Sequence, residues 1–139
     1  MNNVAANTPG CLANVRILIV DDDPDARDVV REVLELAGGS VVAVGSPRLA
    51  IASVSSWLPD LIISDIGMPE IDGYALLRSI RALPAEEGGQ IPALALTAYA
   101  SPEDAERARR AGFQVFLTKP VDADRLVEAI AGLAATCRQ

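Results

Sequence analysis

Short apolar runs alternate with longer amphipathic stretches from Arg16 almost to the end of the chain. The apolar runs have the length of strands, and the stretches between them repeat their apolar residues at helical spacing. The pattern predicts strands at 16–20, 41–44, 61–64, 93–97 and 115–118. It predicts helices at 24–37, 46–57 and 74–82, a fourth from 101 and a fifth after Asp122. Alternation of this kind is typical of an α/β fold with a parallel sheet.

Five such units joined by right-handed crossovers predict a doubly wound, five-stranded parallel sheet with helices on both faces. Of the common strand orders, the flavodoxin-like 2-1-3-4-5 suits five strands. The chain has 139 residues, which is the size of a single domain. Residues 1–14 show no periodicity and are predicted to be a flexible tail or a linker remnant, which leaves residues 15–139 as the domain.

Polar residues follow four of the predicted strands. Asp21 and Asp22 follow the first strand and Asp65 follows the third, while Thr97 ends the fourth strand and Lys119 follows the fifth. In the 2-1-3-4-5 order the first and third strands are neighbours, and ligands bind beyond the carboxyl ends of the strands at that point. Three clustered carboxylates repel one another and favour a bound cation. All-oxygen ligands with room for water suit Mg²⁺.

Each of these residues also has a simpler structural explanation. The Asp21 to Asp23 run could be an acidic turn that caps the first helix, and Asp23 is its predicted cap. Asp65 could be a turn residue, and Lys119 a solvated charge. Because four separate segments converge on one edge of the predicted sheet, a shared site is the better interpretation.

The charge balance argues against several classes of partner. The formal net charge is −7, which disfavours direct binding to nucleic acid or to an anionic membrane surface. The apolar runs are too short to cross a bilayer and the start has no signal-peptide pattern, so we expect a cytoplasmic protein. Cys11 and Cys137 have no metal-binding spacing and the chain has no His, so both are expected to be free thiols.

At these residues the sequence resembles the receiver domains of bacterial response regulators. The similarity covers about residues 16–135 and is carried by four segments in succession, namely ILIVDDDPDAR, PDLIISDIGMPEIDGY, ALTAYA and FLTKPVD. Taken together these motifs are highly specific. The resemblance implies a phosphoaccepting domain of two-component signal transduction that catalyses its own phosphorylation and dephosphorylation.

The resemblance assigns a role to each matching residue. It implies that Asp65 is the phosphoacceptor, that Asp22 and Asp65 bind Mg²⁺ directly and that Asp21 acts mainly through coordinated water. The backbone carbonyl of Gly67 would complete the protein's ligands. Lys119 would pair with the Asp65 carboxylate or with phosphoryl oxygens.

The resemblance also implies a switch. Thr97 would hydrogen-bond the phosphoryl group, Phe116 would be the switch aromatic, and the peptide bond between Lys119 and Pro120 would be cis. The face formed by the fourth helix, fifth strand and fifth helix would then bind a downstream protein. We expect a sensor histidine kinase or a histidine phosphotransfer protein as the donor, and a homodimer is left open.

Two other functions and two origins remain open from the sequence. Asp21, Asp23, Thr97 and Lys119 loosely imitate the motifs of a haloacid-dehalogenase-type phosphatase, although Asp65 would then have no purpose. A receiver-like docking module that is never phosphorylated is the nonenzymatic alternative. Because no output domain follows the fifth helix, we expect either a stand-alone regulator or the receiver of a hybrid sensor histidine kinase.

Overall fold

The computed structural model describes residues 12–67, 72–98 and 101–137. Its five strands are β1 (Arg16–Val20), β2 (Ser40–Val44), β3 (Leu61–Asp65), β4 (Ala93–Thr97) and β5 (Val115–Thr118). The helices are α1 (Pro24–Leu36), α2 (Pro47–Trp57), α3 (Gly73–Arg81), α4 (Pro102–Ala111) and α5 (Ala123–Cys137), with a short 3₁₀ helix at Ala85–Glu87.

The strands form one parallel sheet in the order β2-β1-β3-β4-β5, which confirms the predicted topology. In the register between β1 and β3, Ile17 lies opposite Leu61 and Val20 lies opposite Ser64. The two strands that carry the acidic residues are therefore direct neighbours. This pairing of β1 with β3 places Asp21 and Asp65 at the same edge of the sheet.

Alternate strand residues enter two separate apolar layers, as the period of two requires. Ile17 and Ile19 of β1 pack with α1 and α5, whereas Leu18 and Val20 pack with α2, α3 and α4. Helices therefore cover both faces of the sheet, as predicted. The central strand β3 is apolar on both sides, since Ile62 faces one layer and each of its neighbours faces the other.

Polar side chains begin the helices. The predicted cap Asp23 accepts a hydrogen bond from the Asp25 N–H, and Pro24 follows it at the first helical position. The side chains of the caps of α2, α3 and α4 likewise accept a hydrogen bond from a backbone N–H of the first turn; these caps are Ser46, Asp72 and Ser101.

The helices differ in how much they bury. The two buried side chains of α4 are Ala108 and Ala111, whereas α3 buries larger side chains such as Leu76 and Ile80. Since buried apolar area is the main source of helix packing energy, α4 is held less firmly than α3. Over the described ranges, no helix is long and apolar enough to cross a membrane.

The folded unit includes residues ahead of position 15. Leu12 is fully buried, and its N–H donates to the Ala37 carbonyl at 2.7 Å. Residues 1–11, and with them Cys11, lie outside the described residues. The tail and the free thiols stay predictions, and the boundary at 15 is not a limit of the packed core.

Candidate functional site

Three carboxylates meet at the carboxyl edge of the sheet. Asp21 follows β1, Asp22 comes next, and Asp65 is the last residue of β3. One oxygen from each carboxylate lies within 4.8 Å of the others. The strand order therefore brings together the three acidic residues that the sequence predicts to share a site.

Asp21 is the buried member of this cluster, with 4% of its surface exposed. Its Oδ1 accepts a hydrogen bond from the Asp23 N–H at 3.0 Å, and its Oδ2 accepts one from Lys119 Nζ at 3.0 Å. Asp22 is exposed. One carboxylate is thus fixed by protein donors, while its neighbour is open to solvent.

Lys119 reaches the cluster from β5, two strands away from β3. Its Nζ lies 3.0 Å from Asp21 Oδ2 and 3.6 Å from Asp65 Oδ2. The peptide bond between Lys119 and Pro120 is cis, as predicted. The expected pairing with Asp65 is present, but the shorter contact is to Asp21, which is the more deeply buried of the two carboxylates.

The electrostatics of the cluster are unbalanced. Burial, together with the negative charge of Asp21, raises the pKa of Asp65 despite the opposing effects of Lys119 and two backbone N–H groups. Partial burial lowers the pKa of Lys119, but the hydrogen bond and charge of Asp21 and the charge of Asp65 outweigh it, so that the net pKa is raised. A single ammonium group does not offset three carboxylates. The donor set fits a hard divalent cation such as Mg²⁺.

Thr97 and Phe116 lie on the same face of the sheet. Ala95 pairs with Phe116, and Thr97 is two residues beyond Ala95, so both side chains point to the layer that holds α4. Thr97 is buried and Phe116 is half-buried. Both residues thus lie on the α4 side of the sheet, and the switch itself stays a prediction.

Gly67 begins the loop after β3. Its N–H makes a long contact of 3.4 Å with Asp65 Oδ1, and a Cβ atom added at this position would meet no atom of the described residues within 4 Å. The predicted role of its carbonyl as a metal ligand stays a prediction.

Gly73 is a site residue whose role the sequence reasoning missed. Its N–H donates to the Ile66 carbonyl at 2.8 Å, and a Cβ atom at this position would lie 2.5 Å from the Asp65 carbonyl oxygen. The first turn of α3 therefore packs directly against the backbone of the predicted phosphoacceptor. The available signal was a glycine placed just after the helix cap Asp72, where a side chain would otherwise favour helix formation.

Comparison with known proteins identifies the family. The family model described as the response regulator receiver domain matches residues 17–131. The chain therefore belongs to the response regulator receiver domains, the proteins of two-component signal transduction. Because the receiver-domain model matches residues 17–131, the haloacid-dehalogenase-type phosphatase is no longer the preferred alternative.

Individual relatives agree with this assignment. The chain is 45% identical to an uncharacterized 14.6 kDa protein of Leptolyngbya boryana, over 86% of this chain and 89% of that protein. It is 35% identical to the C4-dicarboxylate transport transcriptional regulatory protein DctD of Pseudomonas aeruginosa, over 85% of this chain and 25% of the relative. The chain thus spans about a quarter of the length of DctD.

A solved structure provides a further comparison. It is the receiver domain of a sensor histidine kinase from Pseudomonas aeruginosa, with a magnesium ion coordinated in its active-site cleft. The TM-score is 0.80 and the identity 32%, over 88% of this chain and 99% of that one. The acidic cluster of Asp21, Asp22 and Asp65 is consistent with Mg²⁺ binding here as well.

Proposed function

We propose that Asp65 accepts a phosphoryl group from the phosphohistidine of a sensor histidine kinase or a histidine phosphotransfer protein. The observation that carries the proposal is the convergence of three carboxylates within 4.8 Å, with Lys119 Nζ 3.0 Å from one and 3.6 Å from another. If these residues only formed a solvated acidic turn, Asp21 would not need to be buried. Nor would Lys119, which follows a strand two positions from β3, need to contact the cluster.

Asp65 is the proposed acceptor because it is less buried than Asp21 and its own carboxylate lies 3.6 Å from Lys119 Nζ and 3.4 Å from the Gly67 N. An oxygen of its carboxylate forms the new bond to phosphorus while the phosphorus–nitrogen bond of the phosphohistidine breaks, and the electron pair leaves with the imidazole. Lys119 and the Gly67 N–H favour the ionised carboxylate that this step needs. The acyl phosphate is later cleaved by water, which restores the carboxylate.

Asp21, Asp22, Asp65 and the Gly67 carbonyl would hold Mg²⁺. When bound, the cation supplies positive charge against the acidic cluster and the phosphoryl oxygens. Lys119 would donate to the phosphoryl group as well, since its ammonium group has three donors to distribute between Asp21 and the phosphoryl oxygens. Thr97 contributes its hydroxyl as a further donor at the end of β4.

The face of α1 beside the cluster is a suitable place for the donor protein to bind. An apolar groove lies between α1 and the segment after Lys119, and its lining includes Val29, Ala26 and Val121 as well as Lys119 itself. Val29 is 61% exposed. A protein that delivers a phosphohistidine to Asp65 must cover this region, and it would bury that side chain.

We propose that phosphorylation alters the face formed by α4, β5 and α5. Thr97 moves toward the acquired oxygens, and Phe116 repacks into the space that Thr97 leaves. The small buried area of α4 makes its displacement inexpensive. The output is then the binding of a downstream protein to this face.

Labelling with a small phosphodonor tests the acceptor. Wild-type chain incubated with acetyl phosphate and Mg²⁺ should gain one phosphoryl group by intact-protein mass spectrometry, and Asp65→Asn should gain none. Reductive trapping followed by peptide sequencing locates the acyl phosphate. Attachment to Asp21 would favour the phosphatase chemistry and overturn the proposal.

Beryllofluoride tests the switch separately. With Mg²⁺ it mimics the phosphoryl group, and NMR shift changes should extend from the cluster to α4 and β5. A chain that binds neither beryllofluoride nor a phosphoryl group is a docking module. Shift changes confined to the cluster would leave phosphoacceptance intact but rule out the α4–β5–α5 output.

A further inference from the structure

The backbone carbonyl of Asp21 is bound by a side chain from the next helix. Nη1 of Arg27, on α1, donates to the Asp21 oxygen at 2.8 Å. The Asp21 N–H donates to the Val44 carbonyl at 3.1 Å, which continues the ladder between β1 and β2 one residue past the end of β1. Both backbone groups of Asp21 are thus held by the protein.

Arg27 replaces a strand donor at this point. In a continued parallel ladder, a residue that donates to Val44 would accept from the N–H two residues further along, which is that of Ser46. Ser46 instead begins α2, and its side chain accepts a hydrogen bond from Leu49. The guanidinium of Arg27 supplies the donor that the departing chain cannot.

Gly45 makes room for this guanidinium. A Cβ atom at Gly45 would lie 2.5 Å from Arg27 Nη1 and 3.3 Å from its Cζ. The atoms in the way belong to the end of a long, flexible side chain, so an alanine at this position would displace Arg27 rather than the backbone. Gly45 and Arg27 therefore act as a pair, although they lie on different elements.

The charge of Arg27 is directed to the acidic segment. In the part of the chain that the structure describes, Arg27 forms no salt bridge with a carboxylate. A hydrogen bond from a charged donor is stronger than one from a neutral donor, and here the acceptor is the backbone carbonyl of Asp21, next to Asp22. The exposed Asp22 carboxylate depends on this backbone for its position.

We propose that Arg27, whose guanidinium packs against Gly45, is a positioning residue that holds the Asp21–Asp22 backbone in place for cation binding. The inference rests on the proposed function, since that cation is Mg²⁺. Without the Arg27 contact the Asp21 carbonyl is released, and the segment must be ordered again whenever the cation binds. Residues that orient metal ligands without touching the metal commonly change its affinity by one to two orders of magnitude.

Calorimetric titration with MgCl₂ alone tests the inference on the full chain. Arg27→Ala should weaken Mg²⁺ binding roughly tenfold. Gly45→Ala should weaken it by a similar factor, and the double variant should be no weaker than Arg27→Ala, because both changes remove one contact. Arg27→Lys, which keeps the charge and a donor, should recover part of the loss.

Arg31→Ala is the matched control. Arg31 lies one turn further along α1 and is paired with Glu35 at 3.6 Å, so its removal deletes the same charge without touching Asp21. Its Mg²⁺ affinity should stay close to wild type. If Arg31→Ala and Arg27→Ala weakened Mg²⁺ binding equally, the effect would be due to net charge alone. If the losses of affinity in the double variant were additive, Gly45 and Arg27 would act independently. Either result overturns the inference.

Hydrogen exchange of the metal-free chain in EDTA gives a second measurement. Arg27→Ala and Gly45→Ala should accelerate exchange at the amides of Asp21 and Asp23, whereas Arg31→Ala should not. Unchanged exchange in the first two variants would contradict the positioning role. A wild-type chain that does not bind Mg²⁺ would count against the proposed function, while the exchange data would still decide whether Arg27 holds this segment.

Discussion

The two ends of the sheet differ in whether their charged groups are paired. At the amino end, the Arg16 N–H donates to Asp60 Oδ2 at 2.7 Å, and its guanidinium donates to the Leu58 carbonyl at 2.6 Å and lies 5.4 Å from the centre of the Trp57 ring. At the carboxyl end, three carboxylates cluster together and one lysine contacts two of them, Asp21 and Asp65. One end matches donors with acceptors, whereas the other keeps an excess of negative charge.

The difference separates stability from function within one fold. Matched groups at the amino end connect β1 to β3 and stabilise the sheet. The unmatched carboxylates cost stability in the metal-free chain, as the raised pKa of Asp65 indicates. Such a cost is retained where a ligand offsets it, and substitutions at the two ends should therefore have opposite effects on folding and on phosphorylation.

Loss of the lysine should produce the largest effect. Lys119→Met removes the fixed cation beside the phosphoryl group, and we expect phosphorylation by acetyl phosphate to slow on the order of 100-fold. Arg16→Met, which deletes a cation at the other end, should leave the rate within about a factor of two. A phosphorylation time course on phosphate-affinity gels measures both, and comparable slowing in the two variants would break the comparison.

Two glycines at the carboxyl end should respond differently to alanine. Gly73→Ala places a Cβ 2.5 Å from the Asp65 carbonyl oxygen, so we expect it to lower the free energy of unfolding. A loss of roughly 2 kcal/mol is typical of such an overpacked contact. The Cβ of Gly67→Ala would meet no atom of the described residues within 4 Å, so this variant should change stability little. Urea denaturation compares the variants, and equal stabilities would show that α3 can move away from Asp65 without cost.

Breaking the amino end should cost less and leave the site intact. Arg16→Ala removes a hydrogen bond to Leu58 and a cation–π contact with Trp57, both near the surface. We expect a loss of about 1 kcal/mol in the free energy of unfolding. Mg²⁺ affinity, measured by calorimetry, should match wild type. A weakened Mg²⁺ site in this variant would mean that the two ends are coupled through β1.

Removing the acceptor charge should stabilise the metal-free chain. The pKa of Asp65 is raised above 3.8 in the folded chain, so the folded state keeps its proton at pH values where the unfolded chain has lost it. Stability is therefore lost as pH rises through this window. Asp65→Asn should avoid that loss and be more stable than wild type at pH 7, with the advantage shrinking as the pH falls through this window.

Thermal unfolding in EDTA at several pH values measures this last effect. Added Mg²⁺ should raise the melting temperature of wild type and do little for Asp65→Asn. If Asp65→Asn were less stable than wild type at pH 7, the lost contact with Lys119 would outweigh the relief from burying a charge and from repulsion by Asp21. The proposed imbalance at the carboxyl end would then be wrong.

The sequence by itself predicted the fold and the grouping of the acidic residues at one edge of the sheet. Residue periodicity separated strands from helices, and the 2-1-3-4-5 order then made neighbours of Asp21 and Asp65. These predictions succeed because strand and helix periods are local properties. The family motifs added the cis bond before Pro120, which the structure contains.

The tertiary structure decided how the site is supported. That Lys119 lies nearer to Asp21 than to Asp65, that Gly73 admits the backbone of Asp65, and that Arg27 rests on Gly45 could not be predicted from residue patterns. Each contact depends on distances of a few ångströms between backbones that are far apart in the chain. Such distances follow from the packing of whole helices on the sheet, so they are set only when the domain is folded.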